Sequence, residues 1–227
     1  MSRKVTPKEK RLAKGQQNRL TKAFTLFKND EQKEATDTIK ENTISFLIGP
    51  AGTGKTFLAV SYAVFEFLHG NYDKIIMTRP AVEAGERLGH LPGEIEDKIH
   101  PYMIPLLDFL EEKLDSKLIQ DCFTNGSFEI APIGYMRGRT LKNAVIIFDE
   151  AQNATFGQTK MVLTRIGENS KMIVTGDPEQ SDLNGKCKLR QISSTLSKID
   201  GINSYELKRS VRHPLIEKII KSFDEIT

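Results

Sequence analysis

Apolar residues fall into short continuous runs separated by longer stretches of helical spacing. The runs at 44–48 (ISFLI), 74–78 (KIIMT), 144–148 (AVIIF) and 171–175 (KMIVT) are short and rich in β-branched residues, which predicts buried strands. Shorter strands are expected at 127–131, after the Asn125-Gly126 turn, and at 203–207. Between them the apolar period changes. Leu58, Tyr62, Phe65 and Leu68 recur at helical spacing and predict a helix over 53–69, stopped by Gly70-Asn71. Further helices are expected at 30–40, capped by Asn29 or Asp30, at 94–114 with interruptions at Pro101 and Pro105, and at 116–124, 156–166, 189–199 and 214–223. The Gly- and Pro-containing segment 79–93 is long enough for a functional loop. Strands alternating with helices imply an α/β fold with a mainly parallel sheet and helices on both faces. Its ligands belong at the carboxyl ends of the strands.

Those ends carry the chemistry. The first strand runs into Gly49-Pro50-Ala51-Gly52-Thr53-Gly54-Lys55-Thr56, which fits G-x-x-x-x-G-K-[ST] in the strand, loop and helix order a phosphate loop requires. The glycines let successive N–H groups face one anion, and the following helix adds its positive end. Lys55 is placed for the β- and γ-phosphates and Thr56 for Mg²⁺. The run 145–148 ends in Asp149-Glu150: one carboxylate for the metal, one to activate water. The third, Val174-Thr175-Gly176-Asp177-Pro178-Glu179-Gln180, offers Gln180 to the γ-phosphate or the attacking water, with Thr175 and Asp177 as hydrogen-bonding support. An ordinary Gly/Pro turn would explain the third motif taken alone.

Charge divides the chain. Residues 1–22 hold eight basic side chains (Arg3, Lys4, Lys8, Lys10, Arg11, Lys14, Arg19, Lys22) and one acid, so the rest of the +3 chain, with 25 basic and 29 acidic residues, is about −4. A basic tail over 1–28 followed by one domain over 29–227 is the expected organisation. Such a tail either touches nucleic-acid phosphates without reading sequence or is a solvated extension. The two cysteines, Cys122 and Cys187, lack the spacing of a disulfide framework or zinc site, and no apolar run has the length of a membrane span. A reducing, cytoplasmic setting is expected.

Taken together, these motifs resemble a superfamily-one helicase core reduced to one RecA-like unit, and more narrowly the PhoH family of P-loop ATPases. The resemblance is carried by Gly49–Thr56, the run 78–86 (TRPAVEAGE), Leu91-Pro92-Gly93, Tyr135-Met136-Arg137-Gly138-Arg139-Thr140, Phe148–Asn153, Thr175-Gly176-Asp177 with Gln180 and Asp182, and Val211-Arg212-His213-Pro214. It covers roughly residues 30–220. The family pattern continues past Asp182 with leucine and proline, whereas Asn184 follows Leu183 here, so that loop is expected to differ in shape. The resemblance implies a RecA-like P-loop NTPase using ATP and Mg²⁺. It lends Gln32 an adenine-reading role and Arg212 a role in stabilising transition-state charge. Arg79, Arg137 and Arg139 are candidates for a nucleic-acid backbone, for a neighbouring subunit's site, or for the chain's own acids. It further implies single-stranded nucleic acid, RNA favoured, as partner, and a homo-oligomeric ring, hexamer favoured, because one RecA-like unit supplies half of a closed helicase site. The alternative is an ATP-dependent switch whose nucleotide state controls assembly without movement along a strand.

Overall fold

The computed structural model describes residues 27–80, 104, 107–108, 110–111, 114–183, 187–213, 215–216, 219 and 222. The expectations for residues 1–26, for the loop beyond Pro80, for most of the helices at 94–114 and 214–223 and for Asn184 lie outside these residues.

Six strands form one sheet, all parallel: β1 (Ile44–Ile48), β2 (Lys74–Arg79), β3 (Phe128–Pro132), β4 (Ala144–Phe148), β5 (Lys171–Gly176) and β6 (Ile202–Glu206). Their order is β3-β2-β4-β5-β1-β6. The three most apolar strands, β1, β4 and β5, sit in the middle and are buried at every position, as strands covered on both faces must be. β6 lies at the edge, and none of its positions is buried. In register, Phe46 opposes Val174 and Phe148 opposes Val174 from the other side. Phe46 and Phe148 are wholly buried, and losing either ring to alanine costs about 3–5 kcal/mol.

Helices cover both faces, as expected. α1 (Asp30–Glu41), α2 (Lys55–Leu68) and α3 (Ser116–Thr124) pack on the face that carries Leu47, Met77, Ile147 and Ile173. α4 (Phe156–Leu163) and α5 (Leu189–Leu196) cover the face of Phe46, Ile146, Phe148 and Val174. Capping decides the ends. The Asn29 side chain accepts from Gln32 N–H and opens α1, and Asp115 does the same for α3 through Lys117 N–H. Thr155 and Gln158 form a reciprocal capping box at α4, which stops at Leu163. Phe27 packs against the core and Lys28 Nζ sits 4.8 Å above the Phe57 ring.

Candidate functional site

At the carboxyl end of the sheet, β1 feeds the loop Gly49–Thr56 and α2 starts at Lys55. No side chain caps this helix. Its N-terminus is therefore left to an anion, which the positive helix end favours. Two glycines are dictated by close neighbours as well as by positive φ. A Cβ at Gly52 (φ 83°) would lie 2.5 Å from the Arg212 side chain, and one at Gly54 (φ 87°) 2.5 Å from Gln32 Nε2. The loop is thus pressed between Gln32 on one side and the 207–213 segment on the other. Val211 N–H donates to Gly52 O at 2.9 Å and fixes that segment over the loop.

Asp149 is 1% exposed and is the most enclosed carboxylate of the site. Its Oδ1 accepts from Thr56 Oγ1 at 2.9 Å and from Thr175 Oγ1, and its Oδ2 accepts from Arg79 Nη2 at 2.7 Å. These side chains come from the ends of β2, β4 and β5 and from the start of α2. Alternation explains why they meet: Met77, Ile147 and Ile173 face the α2 layer, and the residues two further on are Arg79, Asp149 and Thr175. A hydroxyl and a carboxylate oxygen in contact are hard oxygen donors of the kind Mg²⁺ takes beside phosphate oxygens, so the residues fit that ion. Among the described residues no cluster of three or more His, Cys, Asp and Glu could hold a metal.

Glu150 differs from its neighbour. It takes left-handed backbone (φ 51°), a conformation that costs a non-glycine residue about 1–3 kcal/mol. Its side chain is 41% exposed. Oε1 lies 3.5 Å from Arg79 Nη2, and Oε2 accepts from Gln152 Nε2 at 2.5 Å. The buried Gln152 turns its Oε1 to the backbone N–H of Asp177 at 3.0 Å. Asp177 Oδ2 in turn accepts Ala51 N–H at 3.1 Å. A chain of contacts therefore runs from the phosphate loop through the β5 turn to Glu150. The motif quoted around Asp149 contains Gln152, yet its bridging role was not legible, because it depends on the turn Ala151–Asn153 folding back under β5.

Lys55 Nζ donates to Gly49 O at 2.7 Å and Pro50 O at 2.8 Å. Burial pushes its pKa below the ordinary lysine range; Asp177, Glu150 and Asp149 pull it back up, and Arg212 adds to the depression. Those four partners are groups from all the strand-end motifs, gathered around one ammonium.

The remaining candidates divide. Gln32 is fully buried, with Nε2 on Thr53 O at 2.9 Å and Oε1 accepting Lys28 N–H at 2.7 Å, so it braces the loop from behind. Arg212 is exposed and lies over Gly52. Gln180 is exposed on the β5 turn, held there by its backbone N–H to Asp177 O at 3.1 Å. Of the three outlying arginines, Arg79 pairs with the chain's own Asp149 and Arg139 forks onto Glu129 at 2.5 and 2.8 Å. Hydrogen bonding to Arg139 holds the Glu129 carboxyl below its usual range. Arg137 is exposed.

Parallel strands that bring a loop lysine, its threonine and a buried aspartate to one corner define a P-loop NTPase, here with a RecA-like sheet. A family model described as "PhoH-like protein" matches residues 26–224. The chain is 50% identical over 198 residues to a PhoH-like protein of Bacillus subtilis (strain 168), covering 86% of this chain and 62% of that one. Over 217 residues it is 45% identical to a PhoH-like protein of Synechocystis sp., covering 94% and 65%. The chain belongs to the PhoH-like protein family. It spans less than two thirds of the length of these relatives. Among solved structures it is similar to the Pif1 helicase from Candida albicans, with a TM-score of 0.43 and 14% identity over 88% of this chain and 44% of that one. Among the described residues, no helix is long and apolar enough to cross a membrane.

Proposed function

We propose that this chain is a Mg²⁺-dependent ATPase that couples hydrolysis to work on single-stranded nucleic acid, RNA favoured, as a homo-oligomeric ring, hexamer favoured, in the cytoplasm. The observation that carries the ATPase reading is Thr56 Oγ1 donating to the enclosed Asp149 at 2.9 Å beside an uncapped helix start that carries Lys55. Lys55 exchanges its loop carbonyls for phosphate oxygens, and the uncapped start of α2 adds its N–H groups. Thr56 and Asp149 hold the metal, which when bound neutralises β- and γ-phosphate charge. Glu150, at the open mouth of the site, takes the proton of the attacking water as its oxygen bonds to the γ-phosphorus and the ADP oxygen leaves. Gln180 orients that water or the phosphate, and Arg212, lying over Gly52, stabilises transition-state charge. Gln32 reads the adenine edge by releasing its amide from Thr53 O or Lys28 N–H. Residues 29–227 act as one domain, with the basic tail as a further phosphate contact.

The test is phosphate release with and without Mg²⁺ and single-stranded RNA or DNA. Magnesium-dependent turnover stimulated by the oligonucleotide is expected. Binding of ATP with no turnover under any of these conditions would favour the switch reading instead, as would turnover accompanied by nucleotide-dependent assembly and no strand displacement. Light scattering checks the ring: full activity from a monomer at micromolar concentration overturns it.

A further inference from the structure

On the sheet face opposite α2, the helices α4 and α5 leave a groove of about 650 Å³ between them. Leu163, Ile192 and Leu196 form its floor, and Phe156, Lys160 and Lys188 stand along it. Phe156 is 60% exposed, the most open of the large apolar side chains among the described residues. The turn Ile133–Met136 packs against α4 and brings Tyr135, 56% exposed, and the exposed Arg137 to the same side. Charge is one-sided here. Residues 133–140, 155–167 and 187–198 contain seven Lys and Arg and no Asp or Glu, although the chain beyond its basic tail is net acidic. Arg139 and Arg190 are paired with acids from elsewhere, while among the described residues Lys160, Lys188 and Arg137 have no ion pair.

A surface whose charged groups without an ion pair, Lys160, Lys188 and Arg137, are basic selects an anionic partner, and an apolar floor with standing aromatic rings selects one that also offers flat apolar faces. Single-stranded nucleic acid has both, phosphates for the lysines and bases for the rings. The volume suits a ligand of about nucleotide size. An acidic face on another protein would answer the charge but would leave Phe156 and Tyr135 without a stacking partner. We infer that the α4–α5 groove, with Phe156, Lys160 and Lys188, is a seat for a stretch of single-stranded nucleic acid. This rests on the nucleic-acid reading above and assigns it a place.

The place has a consequence for turnover. α4 follows the turn that carries Gln152 and Asn153, and α5 follows the turn that carries Asp177 and Gln180. The two turns are tied by Ser181 Oγ donating to Gln152 O at 2.9 Å and by Asp182 N–H donating to Asn153 Oδ1 at 2.9 Å. A strand lodged between the helices bears on both turns, and so on the Gln152 contact to Glu150.

The experiment is fluorescence anisotropy on the full chain with a labelled oligo-uridine and an oligo-deoxythymidine of about 20 nucleotides, longer than the site of one binding fold. Phe156→Ala should weaken binding by about fivefold or more, the value of one lost stacking contact. The double variant Lys160→Glu, Lys188→Glu should weaken it by about tenfold or more and flatten the salt dependence. Both variants should keep the thermal midpoint and the oligonucleotide-free ATPase rate of the parent and lose the stimulation. Binding by the parent that is unchanged in both variants overturns the groove and leaves the nucleic-acid reading standing. No binding by the parent overturns that reading, and the groove assignment with it. Unchanged oligonucleotide affinity with loss of the oligomer in sedimentation would give the groove to a second copy and also overturn the assignment.

Discussion

Two lysines, Lys55 half-buried and Lys171 buried, sit at opposite edges of one sheet. Lys55 lies at the carboxyl edge and Lys171 at the start of β5, at the amino edge. Both donate to backbone carbonyls, and burial pushes both below the ordinary lysine range. Lys171 Nζ reaches Ile39 O at 2.5 Å, Lys40 O at 3.1 Å and Asn42 O, which closes the C-terminal end of α1 where unpaired carbonyls and negative helix charge collect. Its Nζ also lies 5.7 Å above the Tyr62 ring. Glu66 is the one acid that raises its pKa, against three around Lys55. A depressed lysine pKa therefore does not mark a site. What separates the two is the strand edge. At the carboxyl edge, loops and carboxylates of several strands converge on an uncapped helix start; at the amino edge the lysine finds a helix end that it completes.

Removing the two amines should have opposite consequences, and this is the largest expected effect. Lys55→Ala should weaken ATP binding by about 100-fold, the loss of charge-assisted bonds to phosphate, with the thermal midpoint nearly unchanged. Isothermal titration and a melting scan on the same sample check both halves. Unaltered ATP affinity would remove Lys55 from the site and erase the contrast.

Glu150→Gln tests the next distinction, between adjacent carboxylates. Asp149 is enclosed and triply bonded; Glu150 is open and strained. The amide keeps the shape and removes the base, so single-turnover hydrolysis should fall by about 100-fold or more with binding intact. Hydrolysis at the parent rate would assign the proton to another acceptor.

Lys171→Met is expected to act on stability alone. It leaves three carbonyls at the end of α1 without their donor, partly offset by relief of a buried charge, for a net loss of about 2 kcal/mol. In a domain of this size that lowers the midpoint by about 4–8 °C. A drop in kcat at a temperature where the variant is fully folded would make the amino edge part of the mechanism.

These contrasts also show what could be read in advance. Strand-borne residues were legible: Asp149 and Thr175 each end an apolar run, and period two places them on one face of the sheet. The six strands and the helices on both faces followed from the same periodicity. Residues whose role comes from chain crossings were not. That Arg79 would pair with Asp149 rather than reach outward depends on β2 lying beside β4, which no local pattern states. Lys171 sits in a run that reads simply as strand, and its partners lie about 130 positions earlier. Phe156 reads as a helix start; its exposure follows from where α4 crosses the sheet.

The smallest expected effect belongs to Gln152, and it tests whether the carboxyl edge works as a connected unit. Its buried amide holds Glu150 by one end and the Asp177 N–H by the other. Gln152→Ala should therefore lower kcat by about tenfold, roughly 1.4 kcal/mol of barrier, and leave ATP affinity at the parent value. Gln152→Glu places like charge against Glu150 and should be at least as slow, whereas a purely steric role would let it pass as the parent does. A loss of affinity with kcat unchanged would mean that Gln152 acts through Asp177 on Ala51 and the loop instead. The kcat result would make Glu150 a base whose orientation is set from the far side of β5, through a side chain that touches neither nucleotide nor metal.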